Sequence, residues 1–274
     1  MSRAPSPPCP PWSNQVRRPR MAQLLNYPLV LFGLSGLTLW LATQIGASLL
    51  RRRSRVTSDV REDFNTILVT TLTLNGLIIG FSFSMAINRY EQRKNYEEAE
   101  ANAIGTEYCR ADLLPHEAAD NVRSLLRQYL DLRMAFYTAH DERQVGPINA
   151  RTEEIQSALW AAVSTEAAAH PTPIIALTVA GMNDVLNSQG YTQAAWWNRI
   201  PVGAWILMVA IALTSHLLLG YGAQSSKAEI RLFVVLPFVF AVSFLLIADI
   251  DSPRSGLIRV HPQNLISLAA SLQH

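Results

Sequence analysis

The chain has 274 residues, 49% of them hydrophobic and 16% charged, against about 25% charged in a typical soluble domain. Its net charge of +2 leaves no basic surplus for nucleic acid. Two cysteines, Cys9 and Cys109, build neither a disulfide framework nor a zinc site. The apolar residues sit in long blocks, the composition of a chain that crosses a bilayer. Residues 1–27 form a Pro-rich, disordered tail, since Pro5, Pro7, Pro8, Pro10 and Pro11 forbid a helix there. No apolar run follows the basic residues inside the first twenty positions, so they are not a signal peptide. Met21 opens a more ordinary N-terminus, and either Met1 or Met21 serves as the start.

Pro28–Leu50 carries no charge and ends at Arg51-Arg52-Arg53-Ser54-Arg55, a cluster suited to lipid headgroups. Thr66–Ile87 is a second uncharged run, stopped by Asn88-Arg89. Ile200–Tyr221 follows Trp196-Trp197, a pair suited to the membrane interface. The fourth run extends from Leu232 to about Ala248, with Pro237 inside it and Asp249 and Asp251 at its exit. The fold class is therefore all-α, a polytopic membrane protein of four transmembrane helices. The domains read as transmembrane helices 1 and 2 over 28–87, a helical extramembrane domain over 88–199, transmembrane helices 3 and 4 over 200–250, and a C-terminal tail over 251–274. An even number of spans puts both termini and the inserted domain on one side. The positive-inside count comes close to a tie, and it reverses if translation begins at Met21.

The insert is rich in Ala, Leu, Glu and Arg, which are good helix formers. Nothing before Pro115 would stop the second span, so it continues out of the membrane to Leu114, with Ile104, Tyr108 and Ala111 on one face. Val122, Leu125, Leu126, Tyr129, Leu132 and Phe136 mark a second amphipathic helix. Ile155, Leu159, Ala162 and Val163 mark a third, and Ile175, Val179, Met182 and Leu186 a fourth. Breaks are expected at Pro115-His116, at Gly146-Pro147 and around His170-Pro171-Thr172-Pro173.

No catalytic constellation is present. The six histidines are scattered, no Gly-rich phosphate loop or GxSxG elbow occurs, and neither enzyme activity, cofactor nor metal site is expected. On the second span, Thr66, Thr70, Thr73, Leu77, Phe81, Ser84 and Asn88 recur at spacings of three and four and share one helical face. Turned to the axis of an oligomer, this face would line a polar pore with an apolar constriction at Leu77 and Phe81. Helix–helix packing uses the same residue types, and periodicity alone favours packing. His216 lies one turn from the end of its span, in reach of the interface. Beyond the second span, Arg89, Glu91, Arg93, Lys94, Glu97, Glu98 and Glu100 form a run of mixed sign, which reads as a solvated helix surface more readily than as an ion vestibule.

The stretch from Gly80-Phe81 through Asn88-Arg89-Tyr90-Glu91-Gln92-Arg93, followed by Glu98-Ala99-Glu100-Ala101-Asn102-Ala103-Ile104-Gly105-Thr106 and Arg110, resembles the bestrophin-like family of bacterial membrane proteins. Asp249-Ile250-Asp251-Ser252-Pro253-Arg254-Ser255-Gly256 is similar to that family's motif after the last span. The resemblance makes Arg89, Tyr90, Arg93, Glu98, Asn102, Gly105, Arg110, Asp251, Pro253 and Gly256 its motif residues. A more distant likeness links the family to bestrophins, pentameric anion channels whose apolar neck lies on the second span. Carried over, the neck would be Thr73, Leu77 and Phe81. The likeness implies a homo-oligomer, a pentamer by analogy, in the cell (inner) membrane, with inorganic anions as the permeant species. It also breaks the orientation tie, placing the helical domain and both termini in the cytoplasm. Three features depart from the bestrophin pattern, the first being that Tyr90 stands alone where the family doubles the aromatic after its arginine. One neck position is a threonine, and Arg254 and Arg259 stand where animal bestrophins carry an acidic calcium clasp, so no calcium site is expected. The alternative function is a non-conducting membrane scaffold or sensor whose helical domain binds a partner.

Overall fold

A computed structural model describes residues 27–51, 58–222 and 227–273. The proline-rich stretch, Met21 and the arginine cluster at 52–55 lie outside the described residues. Every regular element among the described residues is helical: α1 (Pro28–Arg51), α2 (Ser58–Arg110), a 3-10 turn (Ala111–Leu113), α3 (His116–Thr138), α4 (Glu142–Ala169), α5 (Pro173–Trp197), α6 (Val202–Gly222), α7 (Lys227–Asp251) and α8 (Gln263–Ser271). Four stretches are long and apolar enough to cross a membrane, within Pro28–Ser48, Asp63–Leu113, Pro173–Gly222 and Phe233–Asp251. They overlap the four runs read from sequence, and the second and third contain theirs entirely.

The helix α2 is 53 residues long and unbroken. It continues past the apolar run as expected, because no proline or glycine pair interrupts it before Pro115. Helix α4 departs from expectation. It begins at Glu142, not after Pro147, because the Asp141 side chain caps it by accepting from the Arg143 amide at 3.1 Å. A proline in the second turn removes only one backbone bond, and the helix runs through it. The break falls instead at Ala139–Asp141. Thr172 caps α5 in the same way, accepting from Ile175 N at 3.2 Å, with Pro173 in the first turn.

The chain divides into two compact units, one comprising Arg18–Tyr90 with Arg199–Arg259, the other Glu91–Asn198 with Val260–His274. In the first unit α1 packs on α6 and α7. The α1–α6 crossing is close because Gly46 and Gly220 oppose backbone. A Cβ on Gly46 would sit 2.9 Å from Tyr221 N, and one on Gly220 2.9 Å from Ala47 N. Small residues let transmembrane helices approach in this way. The core beside them holds Leu39, Ala86, Trp205, Met208, Phe244 and Ile247. Around it, Leu29, Leu34, Leu37, Ile206, Val234 and Phe238 stay exposed, as lipid-facing side chains do. In the second unit α3 packs on α4 and α8, and α4 packs on α5.

Candidate functional site

The span of α2 has two opposed faces. Leu72, Asn75, Ile79, Ser82, Ala86 and Tyr90 repeat at three and four residues and turn into the first unit: Asn75, Ser82 and Ala86 are buried, and the other three pack against its core. All seven residues of the predicted stripe, Thr66, Thr70, Thr73, Leu77, Phe81, Ser84 and Asn88, lie on the exposed side. Leu77 is 55% exposed and Phe81 68%, so neither serves this chain's own core. The hydroxyl protons of Thr70 and Thr73 are committed to the helix, donated to the carbonyls of Thr66 at 2.7 Å and Val69 at 2.9 Å. Those oxygens therefore turn lone pairs outward. Gly76 and Gly80, about a quarter-turn from the stripe, are also exposed, and a Cβ on either would meet nothing within 4 Å.

Beyond the span, the charged run is a solvated surface only on its outer face. Arg93, Glu97 and Glu100 are buried, in register with Ile104, Glu107 and Ala111 along the inner face of α2. Glu91, Lys94 and Glu98 take the outer face. Arg93 Nε donates to the Ala195 carbonyl at 3.3 Å. The Glu97 carboxylate accepts from the backbone amides of Asn264 at 2.9 Å and Leu265 at 3.0 Å and from Asn264 Nδ2 at 2.6 Å, so it caps α8 from far away in sequence. Glu100 is bound by Arg133 through Nε and, at 3.4 Å, through Nη2. Tyr137 OH donates to it at 3.3 Å and Thr192 Oγ1 at 3.2 Å. The Arg133 guanidinium also lies 4.5 Å from the Phe136 ring centre. Burial, and next the Glu100 charge, push the Tyr137 phenol up from its ordinary value and keep it a donor. Apart from Phe136, read only as part of an amphipathic face, none of these partners was marked from sequence. The available signal was that the charges share the register of Ile104 and Ala111.

The family-motif residues do not converge on one centre. Tyr90 packs on the core of the first unit. Gly105 receives Leu268 of α8, whose Cδ1 would lie 3.1 Å from a Cβ there. Arg110 Nη1 donates to the Leu177 carbonyl at 3.4 Å, while Glu98 and Asn102 are exposed. At the end of α7, Asp251 accepts from Ile200 N at 3.1 and 3.2 Å, tying α7 to the start of α6. Asp249 accepts from the amides of Leu257 at 2.7 Å and Ile258 at 2.8 Å. Pro253 lies in this turn, and a Cβ on Gly256 would collide with the Asp249 backbone. The two aspartates that marked the exit of the span are thus buried backbone acceptors that shape the turn.

His216 also differs from expectation. It is buried, its Nδ1 donates to the Ala212 carbonyl at 2.7 Å, and its ring meets Phe240 edge-on at 5.0 Å. No group of three or more His, Cys, Asp or Glu able to hold a metal ion occurs among the described residues.

Together these features define an all-helical polytopic membrane protein. The chain matches the family model described as Bestrophin-like domain over residues 36–265, and it belongs to that family. It is similar to a crystal structure of a singly substituted bacterial bestrophin homologue from Klebsiella pneumoniae, with 14% identity, 88% of this chain and 98% of that one covered, and a TM-score of 0.65. Another crystal structure of a bestrophin homologue from Klebsiella pneumoniae, solved by zinc phasing, gives 14% identity, the same coverage and a TM-score of 0.60. At such identity the likeness is one of fold. No curated protein matches the chain.

Proposed function

We propose that the chain is one subunit of a homo-oligomeric ion channel in the cell membrane, with α2 lining the pore and the helical domain and termini in the cytoplasm. The supporting observation is the placement of the whole stripe from Thr66 to Asn88 on the exposed side of α2, opposite the face that packs. A single chain encloses no lumen along this face, so a pore requires copies around an axis, five of them by analogy with bestrophins. Leu77 and Phe81 would then form an apolar neck that controls wetting, with hydroxyls on one side and Ser84 and Asn88 on the other. The bestrophin likeness points to inorganic anions. The lone pairs turned outward by Thr70 and Thr73 suit cations, which gives a second reading of the permeant ion. The test is purified protein in planar bilayers under a salt gradient, where the sign of the reversal potential reports the ion. Phe81→Ala and Leu77→Ala should each change single-channel current severalfold. Absence of current, or current indifferent to both substitutions, would remove the pore reading and leave the scaffold.

A further inference from the structure

The turn after α7 displays an apolar side chain that stays uncovered among the described residues. Leu257 is 84% exposed, more than any other large apolar side chain described, and Ile258 beside it is exposed too. The backbone beneath them is pinned. Asp249 accepts from the Leu257 and Ile258 amides at 2.7 and 2.8 Å, and a Cβ on Gly256 would collide with the Asp249 carbonyl. Pro253 and Val260, on either side, are buried. The fixed backbone therefore presents Leu257 outward.

Depth and direction follow from Asp249. It lies two residues before α7 ends at Asp251, inside the stretch Phe233–Asp251 that is apolar enough to cross a membrane. The turn thus folds back to the level of the last helical turn of the span. Val235, Phe238, Val242, Leu246 and Asp249 recur at three and four residues and share one face of α7. Val235, Phe238 and Leu246 are exposed on it. Phe240, Phe244 and Ile247, on the opposite side, join the core with Ala86 of α2. Leu257 is carried on the side of α7 turned away from that core, at the depth where a bilayer ends. Arg254 and Arg259 flank it, both half-buried. A leucine between two arginines at this depth fits an anionic bilayer surface: the apolar side chain enters the headgroup layer, and the guanidiniums meet lipid phosphates. We propose that the turn from Ser252 to Val260 is a membrane anchor that inserts Leu257 and binds anionic phospholipid. It requires only that α7 spans a bilayer and stands whether or not α2 lines a pore.

The test is spin labelling of the full chain. With Cys9→Ser and Cys109→Ser as background, a nitroxide on Leu257→Cys is measured in vesicles of phosphatidylcholine with and without phosphatidylglycerol. Oxygen is the lipid-soluble relaxant and a neutral nickel chelate the water-soluble one. In the anionic vesicles, collision with oxygen should exceed collision with nickel severalfold. Removing phosphatidylglycerol should raise the water-exposed fraction about fivefold or more. Arg259→Gln should raise it about fivefold, the worth of one arginine at an anionic surface, and Arg259→Lys should restore it. Arg254 also interacts within the chain, which makes Arg259 the cleaner probe. Three results would overturn the proposal. Nickel as effective as oxygen would place the leucine in water. Exclusion of both relaxants, with dipolar broadening between labels, would place it against a second copy. A signal indifferent to lipid charge and to Arg259→Gln would remove the anionic surface.

Discussion

Arg133 and Glu100 form the most deeply buried ion pair described, with both side chains fully shielded from solvent. Replacing Arg133 by Met removes both guanidinium donors and leaves a charged carboxylate held only by Tyr137 and Thr192. Breaking a buried pair from one side costs about 3–5 kcal/mol, and the contact with Phe136 adds up to about 2 kcal/mol. Methionine recovers part of the packing, so a net loss of roughly 4 kcal/mol is expected. Glu100→Met should cost roughly as much, since it strands the guanidinium. The double variant behaves differently. Tyr137 OH and Thr192 Oγ1 lie 3.4 Å apart and can bond each other once Glu100 is gone. Neither charge of the pair remains, and the double variant should be at least about 2 kcal/mol more stable than the sum of the single losses allows. The assay is thermal unfolding of the purified chain in detergent, followed by circular dichroism. Single losses below about 1 kcal/mol, or additive effects in the double variant, would refute the account of a dry, mutually dependent pair.

Two further outcomes follow from the same geometry. The folded-state value of about 8 for Glu107 lies above its ordinary 4.5, so the folded chain holds a proton that the unfolded chain releases, and stability falls as pH rises from about 4.5 to about 8. Glu107→Gln should abolish that fall, with a gain over the native chain at pH 8 of at most about 5 kcal/mol and about half that after discounting for solvent screening; equal pH profiles of thermal unfolding would contradict it. Gly76→Leu with Gly80→Leu should lower the oligomer fraction measured by light scattering in detergent without changing the helix content, since nothing in the subunit itself crowds either position.

The membrane helices were legible because an uncharged run long enough to cross a bilayer has few other uses. The continuity of α2 was legible because a helix of this composition needs a breaker to stop it. The charged run beyond the span was misread at Arg93, Glu97 and Glu100, since mixed charges at helical spacing look the same whether they meet water or each other. What separates the two cases is the partner, and Arg133, Thr192 and Asn264 are 33, 92 and 167 residues away from theirs. Helix α8 was hidden for a related reason: its nine residues are too few to hold a helix alone, and its N-terminal cap comes from Glu97. Asp249 and Asp251 were read as the end of a span, and their sequence context alone does not reveal the backbone amides that they accept.

The stripe on α2 does not by itself require a lumen, because Thr70 and Thr73 satisfy their own protons and could face lipid at small cost. The stronger argument concerns its two flanks. On one side, about a quarter-turn away and two turns beyond the exposed Val69, Gly76 and Gly80 leave a shallow, open groove. On the other, at the same angle, Ile67, Leu74 and Met85 stand out as exposed apolar ridges. A groove and a ridge on opposite flanks of one helix complement each other between successive copies, not within a two-fold pair. Such a head-to-tail contact closes into a ring if the rotation permits. In that ring the face midway between the flanks points to the axis, and that face is the one carrying Leu77 and Phe81. The glycine groove thus gives the polar stripe a reason to face an axis that periodicity alone did not supply.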